Sequence, residues 1–205
     1  MGAGFRLVCL AVLITAAGRP PTPTLAPARP PPTLRTGDLV FQASTSSRSA
    51  LIRKASGSPY SHVGIVEVAG DGVFVIEAIE PVSRTPWARW RARGVGAKVL
   101  VLRDRGATPA ALADVVREAR KAVGTPYDAR YRWDDERLYC SELVVKAWAR
   151  GLGVSPGVQQ PVRDLALTPA ELALARAKGI NPDQHLVTPG SLATDPRFEV
   201  VHSDF

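Results

Sequence analysis

Tyr139-Cys140-Ser141-Glu142-Leu143 opens a stretch in which Leu143, Val144, Ala147 and Trp148 recur at helical spacing, with Lys146 and Arg150 in its later half. The pattern predicts an amphipathic helix that starts at Cys140 and ends at Gly151, read as a left-handed residue just past the last turn. Unpaired backbone N–H groups and the positive end of the helix dipole then surround the sulfur and favour thiolate over thiol. A cysteine in that position is a candidate nucleophile. It is equally the kind of small apolar residue that helices bury, so the surrounding chain has to decide.

The leader shifts the balance. Arg6 followed by the apolar run Leu7 to Ala17 and the small residues Ala16-Ala17-Gly18 reads as a secretory signal over residues 1–18. The run is about eleven residues long, against about twenty for a helix that spans a bilayer. Residues 19–33 are rich in Pro, Ala and Thr and predict an extended spacer. The chain has two cysteines, and Cys9 lies inside the signal. Removal of the leader leaves Cys140 alone, with no disulfide partner and no second thiol for a metal site. An unpaired cysteine in an exported protein points to a reactive thiol or an intermolecular bond.

Composition allows one domain with a real core, since 45% of the 205 residues are hydrophobic. Three of the 26 basic residues and none of the 19 acids precede Thr33, so part of the net charge of +7 belongs to the leader. Arg84, Arg89, Arg91 and Arg93, interleaved with Trp87 and Trp90, are the remaining basic cluster. They read as a solvated loop over packed aromatics, and no nucleic-acid partner is expected for an exported chain.

Strand-like runs at Leu39 to Phe41, His62 to Val66, Val73 to Ile79 and Lys98 to Leu102 come first, with Asp71-Gly72 marking a hairpin. Ser44 to Ser56 reads either as a helix or as a loop. Thr108-Pro109 caps a helix whose buried side carries Leu112, Val115, Val116, Ala119 and Val123. A loop dense in aromatics and acids follows from Thr125 to Leu138. Thr168-Pro169-Ala170-Glu171 is a capping box for a helix reaching about Lys178, and Arg197 to His202 reads as a last strand. Strands first and helices later predict an α+β fold, a small antiparallel sheet or barrel packed against helices.

A thiol needs a base, and the chain offers three histidines. His185 falls in a loop between prolines, and His202 is near the end of the chain. His62 begins a strand behind a Pro-Tyr-Ser turn, and Gly64 on the same face leaves room for a close neighbour. His62 is the base of choice. The hairpin register in which Val68 faces Val73 brings Gly64 opposite Glu77 and puts His62 diagonal to it on one face. An acid inside the apolar run Val73 to Ile79 is costly unless partnered, so Glu77 is the expected orienter of the imidazole.

Gly37-Asp38-Leu39-Val40-Phe41, Ser61-His62-Val63-Gly64-Ile65, Ile76-Glu77-Ala78 and Tyr139-Cys140-Ser141-Glu142-Leu143, in this order, resemble the permuted papain-like amidases of the YiiX type. These are circularly permuted relatives of NlpC-type cell-wall cysteine peptidases. The likeness spans residues 36–150, with Gly124-Thr125-Pro126-Tyr127-Asp128 also family-like. It implies a permuted papain-like catalytic domain over residues 34–205, with Cys140 as nucleophile, His62 as base and Glu77 as third member. It implies amide hydrolysis with no metal and no cofactor, on a peptide, cell-wall or lipid-linked amide. Export places the protein outside the cell or in the periplasm and envelope. A lipid acyltransferase or thioesterase on the same scaffold, or a non-catalytic binding module, stands as the alternative. An apolar groove lined by Trp87, Trp90 and Trp133 would favour lipids, and a polar cleft would favour peptides. Tyr60 and Tyr139 are candidate second oxyanion donors beside the Cys140 N–H. Residues 154–205 carry no recognisable motif.

Overall fold

The structure, a computed structural model, describes Met1 and residues 33–205, so the signal and nearly all of the spacer lie outside the described residues. In chain order the elements are β1 (Leu39–Gln42), α1 (Ser49–Ala55), β2 (His62–Ala69), β3 (Gly72–Glu77), β4 (Ser83–Pro86), α2 (Trp87–Ala92) and β5 (Leu100–Asp104). They continue with α3 (Pro109–Lys121), α4 (Cys140–Leu152), β6 (Gln159–Pro161), α5 (Pro169–Ala177), β7 (His185–Val187), α6 (Pro189–Ala193) and β8 (Phe198–Ser203).

The fold is α+β. Six strands form one antiparallel sheet in the order β4-β3-β2-β1-β5-β8, and β6 pairs with β7 in a separate two-stranded ribbon. β1 and the first part of β2 are buried on both faces, which is why their sequences are apolar without a polar alternation. On one face Leu39, Phe41, Val63, Ile65 and Ile76 pack with Leu112, Val115 and Val116 of α3 and Leu143, Val144 and Trp148 of α4. On the other face Val40, Val66, Val75 and Val101 pack beneath Trp90 of α2. Burial of side chains this size contributes about 1.5–3 kcal/mol each.

The hairpin has the expected register, with Val68 opposite Val73 and Ile65 opposite Ile76. The Thr108 hydroxyl accepts from the Ala111 N–H at the start of α3, and Thr168 and Glu171 form the capping box of α5. The open reading of residues 44–56 resolves into a loop followed by α1.

Several expectations need correction. Gly151 does not end α4: the helix runs to Leu152 and its left-handed cap is Gly153, at φ 69°. Gly151 is instead where α3 crosses, since a Cβ there would lie 2.7 Å from the Val115 backbone nitrogen. Val123 falls beyond the end of α3 and is exposed. His185 lies in a strand rather than a loop. The arginine-tryptophan cluster is not a loop but β4 and α2, with Arg84 paired to Glu67 and Asp71, Arg91 to Asp204 and Arg93 to Glu77. Among the described residues no helix is long and apolar enough to cross a membrane.

Candidate active site

His62 and Glu77 lie on the face of the sheet shared with Val66 and Val75, whereas α4 packs on the opposite face. They meet Cys140 because His62 is the first residue of β2, at the end of the sheet, and α4 begins there too. Cys140 is the first helical residue after the N-cap Tyr139. The expected trio is therefore brought together: His62 is hydrogen-bonded through Nε2 to Glu77 Oε2 at 2.7 Å, and its imidazole lies close enough to the Cys140 sulfur for each to shift the other's titration.

Glu77 is fully buried. Its second oxygen accepts from the Thr85 hydroxyl at 2.6 Å and from the Arg93 guanidinium. Burial raises a carboxyl's pKa, but His62, Thr85 and Arg93 outweigh it and hold Glu77 below the usual range. Burial likewise disfavours an imidazolium, yet the Cys140 sulfur and the Glu77 carboxylate together push His62 up to about 9. The Cys140 thiol is pushed up by burial and down by more, through His62, the Ser141 hydroxyl and the Val63 N–H. The arrangement favours thiolate paired with imidazolium, the form in which a cysteine is nucleophilic.

Thr85 and Arg93 were not foreseen, because neither β4 nor α2 carries a clear sequence signal. Two further buried polar groups border the trio. Gln42, the register partner of His62, holds Oε1 without a hydrogen-bond partner. Glu142 is fully buried, accepts from the Tyr139 N–H at 3.3 Å, and has Lys146 Nζ 2.8 Å from its other oxygen but out of hydrogen-bonding alignment. Desolvation pushes Glu142 up to about 7, with Lys146 opposing. His202 bonds Asp204 at 3.0 Å, and His185 is exposed on β7.

The candidate oxyanion tyrosines are engaged elsewhere. The Tyr139 hydroxyl accepts from the Val187 N–H at 3.1 Å, and Tyr60 packs against Phe41 and Phe205. Trp87, Trp90 and Trp133 do not line a common groove: Trp90 is fully buried and stacks on Trp87, while Trp133 packs on Tyr139 under Lys146.

Two cavities flank the trio instead. A cleft of 340 Å³ is lined by His62 with Gln42, Ser44, Ser46, Arg48 and Arg93 among others. A smaller cavity of 90 Å³ is lined by Cys140 and Ser141 with apolar side chains drawn largely from residues 162–189. Ile52 and Tyr127 border both.

The chain is 32% identical over 176 residues to the uncharacterized protein YiiX of Escherichia coli K12, covering 83% of this chain and 87% of that protein. A crystal structure of yiiX from Escherichia coli O157:H7, described as a metalloprotein, superposes with a TM-score of 0.79 at 33% identity, covering 83% of this chain and 98% of that one. In this chain, among the described residues, no cluster of three or more His, Cys, Asp or Glu side chains is arranged to hold a metal ion. Residues 33–202 match the permuted papain-like amidase enzymes, the YaeF/YiiX or C92 family, and with that span, that relative and a Cys-His-Glu trio at the sheet's end, the chain belongs to this family.

Proposed function

We propose that the chain is an exported cysteine hydrolase that cleaves an amide bond, in a peptide or another envelope amide, through a thioester on Cys140. The observation that carries this is the imidazole of His62, hydrogen-bonded to the buried Glu77 carboxylate and set against the Cys140 sulfur. The thiolate adds to the carbonyl carbon, and the oxyanion receives the Cys140 N–H at the start of α4. As the C–N bond breaks, His62 gives its proton to the leaving nitrogen. The neutral imidazole then takes a proton from water as the oxygen adds to the thioester. The C–S bond breaks, the acid leaves, and thiolate and imidazolium are restored. Glu77 holds the ring in register and stays ionised throughout.

The cleft beside His62, which Ser44, Ser46, Arg48 and Arg93 also line, supports an amine carrying polar groups as leaving group. The lipid reading loses the tryptophan groove on which it was to rest. The test is incubation of the full chain with envelope peptides and peptide amides, followed by intact-mass analysis. Amine release with a trapped acyl adduct on Cys140, both absent from Cys140→Ala, is the expected result. No turnover, no adduct and a thiol no more reactive than glutathione would leave a binding module.

A further inference from the structure

We propose that the cleft beside His62 selects a short leaving segment that ends in a free carboxylate, and that Arg48 receives this carboxylate; the inference deepens the hydrolase reading above and rests on it. The protonation step gives the direction. The leaving nitrogen takes its proton from His62, so the amine half of the substrate lies on the side that the imidazole lines with Gln42, Ser44, Ser46 and Arg48. That cleft has a volume of 340 Å³, at the small end of the range for small-molecule sites. It holds the end of a chain and not the middle of a long one.

The charges along the cleft are unequally committed. Arg93 is spent on Glu77, which also holds His62. Arg48 is exposed at the N-cap of α1, with its guanidinium carbon 5.9 Å from the centre of the Tyr127 ring, and no carboxylate among the described residues pairs with it. Two buried polar atoms of cleft residues also lack partners, Gln42 Oε1 and Arg93 Nε. Gln42 is 1% exposed, and a buried amide oxygen left unpaired is costly until a donor docks on it. An N–H of the leaving segment supplies that donor, while the Arg48 guanidinium donates to the terminal carboxylate. Glu80 limits the charge of the occupant. It is exposed, lines the same cleft and accepts from the Tyr127 N–H at 3.0 Å, so it flanks Tyr127 as Arg48 does. Its charge repels a dianion such as a phosphate monoester more than a single carboxylate, and the expected ligand is a monoanion.

The test compares N-bromoacetylglycine with N-bromoacetylglycinamide, which differ only in the carboxylate. With either reagent the Cys140 thiolate forms a C–S bond as the C–Br bond breaks and bromide leaves. Intact mass follows the adduct against reagent concentration, and glutathione calibrates the intrinsic reactivity of each reagent. The carboxylate reagent should half-saturate the protein at a concentration about five- to tenfold lower than the carboxamide. Arg48→Gln should remove most of that preference, and Arg48→Lys should keep part of it. Glu80→Gln keeps an acceptor for the Tyr127 N–H and should enlarge the preference. Peptides with a free C-terminus should likewise be cleaved at lower KM than their C-terminal amides. Equal half-saturation by the two reagents, or a preference that Arg48→Gln leaves intact, would overturn the carboxylate subsite and leave the thiol chemistry standing. Alkylation of Cys140 by both reagents no faster than that of glutathione would overturn the hydrolase reading, and the subsite with it.

Discussion

His62 and Glu77, at the same end of neighbouring strands, are joined Nε2 to Oε2 at 2.7 Å with the carboxylate wholly removed from solvent. A carboxylate in that position favours the imidazolium, so its removal lowers the pKa of His62 from about 9. Glu77→Gln keeps an acceptor for Thr85 but removes the charge. The alkaline limb of turnover, where the imidazolium that protonates the leaving nitrogen is lost, should move down by about one pH unit or more, measured as amide hydrolysis against pH. An unmoved limb would show that the carboxylate does not act on the ring.

The pH profile of the wild-type thiol follows from the same pair. Cys140 is lowered and His62 raised to about 9, so the ion pair exists between those two pKa values and is lost above the higher one as the imidazolium deprotonates. Alkylation should therefore set in at a lower pH than for an ordinary thiol, whose pKa is about 8.5. His62→Ala should return the profile to that of an ordinary or buried thiol. Turnover in that variant should fall by about 10²–10⁴-fold. A wild-type profile that rises only near pH 8.5 contradicts the pair.

Glu142 makes a separate stability prediction. Its carboxyl is raised to about 7 in the folded chain, from an ordinary value of 4.5. Below pH 4.5 both states hold the proton and burial carries no charge penalty. As pH rises through 7 the folded chain must ionise a buried group that the unfolded chain ionised earlier, so wild type loses stability. Glu142→Gln keeps an acceptor for the Tyr139 N–H and escapes that loss. Between pH 5 and pH 8 the stability difference should shift toward the variant by about 1–3 kcal/mol, read from thermal or urea melts. A difference independent of pH would mean that Lys146 neutralises the group completely.

Gly151 tests the packing of α4 on α3. An added methyl would lie 2.7 Å from the Val115 nitrogen and 2.8 Å from its Cα, both backbone atoms that cannot rotate away. Gly151→Ala should cost about 1–3 kcal/mol by forcing the helices apart, although alanine is the better helix former. Gly153→Ala meets no atom within 4 Å and is strained only by its φ of 69°, so its cost should be about 1 kcal/mol. Equal losses at the two positions in urea titration would argue against the close crossing.

The trio was legible because each member carries a local signal. Cys140 starts an amphipathic helix, His62 opens a strand after a turn, and Glu77 interrupts an apolar run in the hairpin whose register fixes their approach. What held Glu77's other oxygen was not legible. β4 contains Pro86 and follows Pro81, α2 has no side-chain cap and three of its internal and flanking positions, Arg89, Arg91 and Arg93, are arginine, so neither Thr85 nor Arg93 announces its place. Gly151 and Gly153 both fit a helix end in sequence, and only the crossing of α3 tells them apart. The apolar cavity was equally hidden. Its walls after α4 come from β7, three residues long, from Ala175 of α5 and from the turns that hold Val162, Leu165, Leu167 and Ile180, pieces too short or too scattered to show a shared face before they fold.

The order in which the pieces occur has a bearing on synthesis. The imidazole and its carboxylate sit 15 positions apart in one hairpin, while the sulfur arrives two strands and two helices later. A chain emerging from the ribosome or a translocation pore can thus lay down the charged couple early and gains no activated thiol until α4 docks at the sheet's end. Unfinished protein carries an inert cysteine, and reactivity switches on only with completion of the tertiary structure.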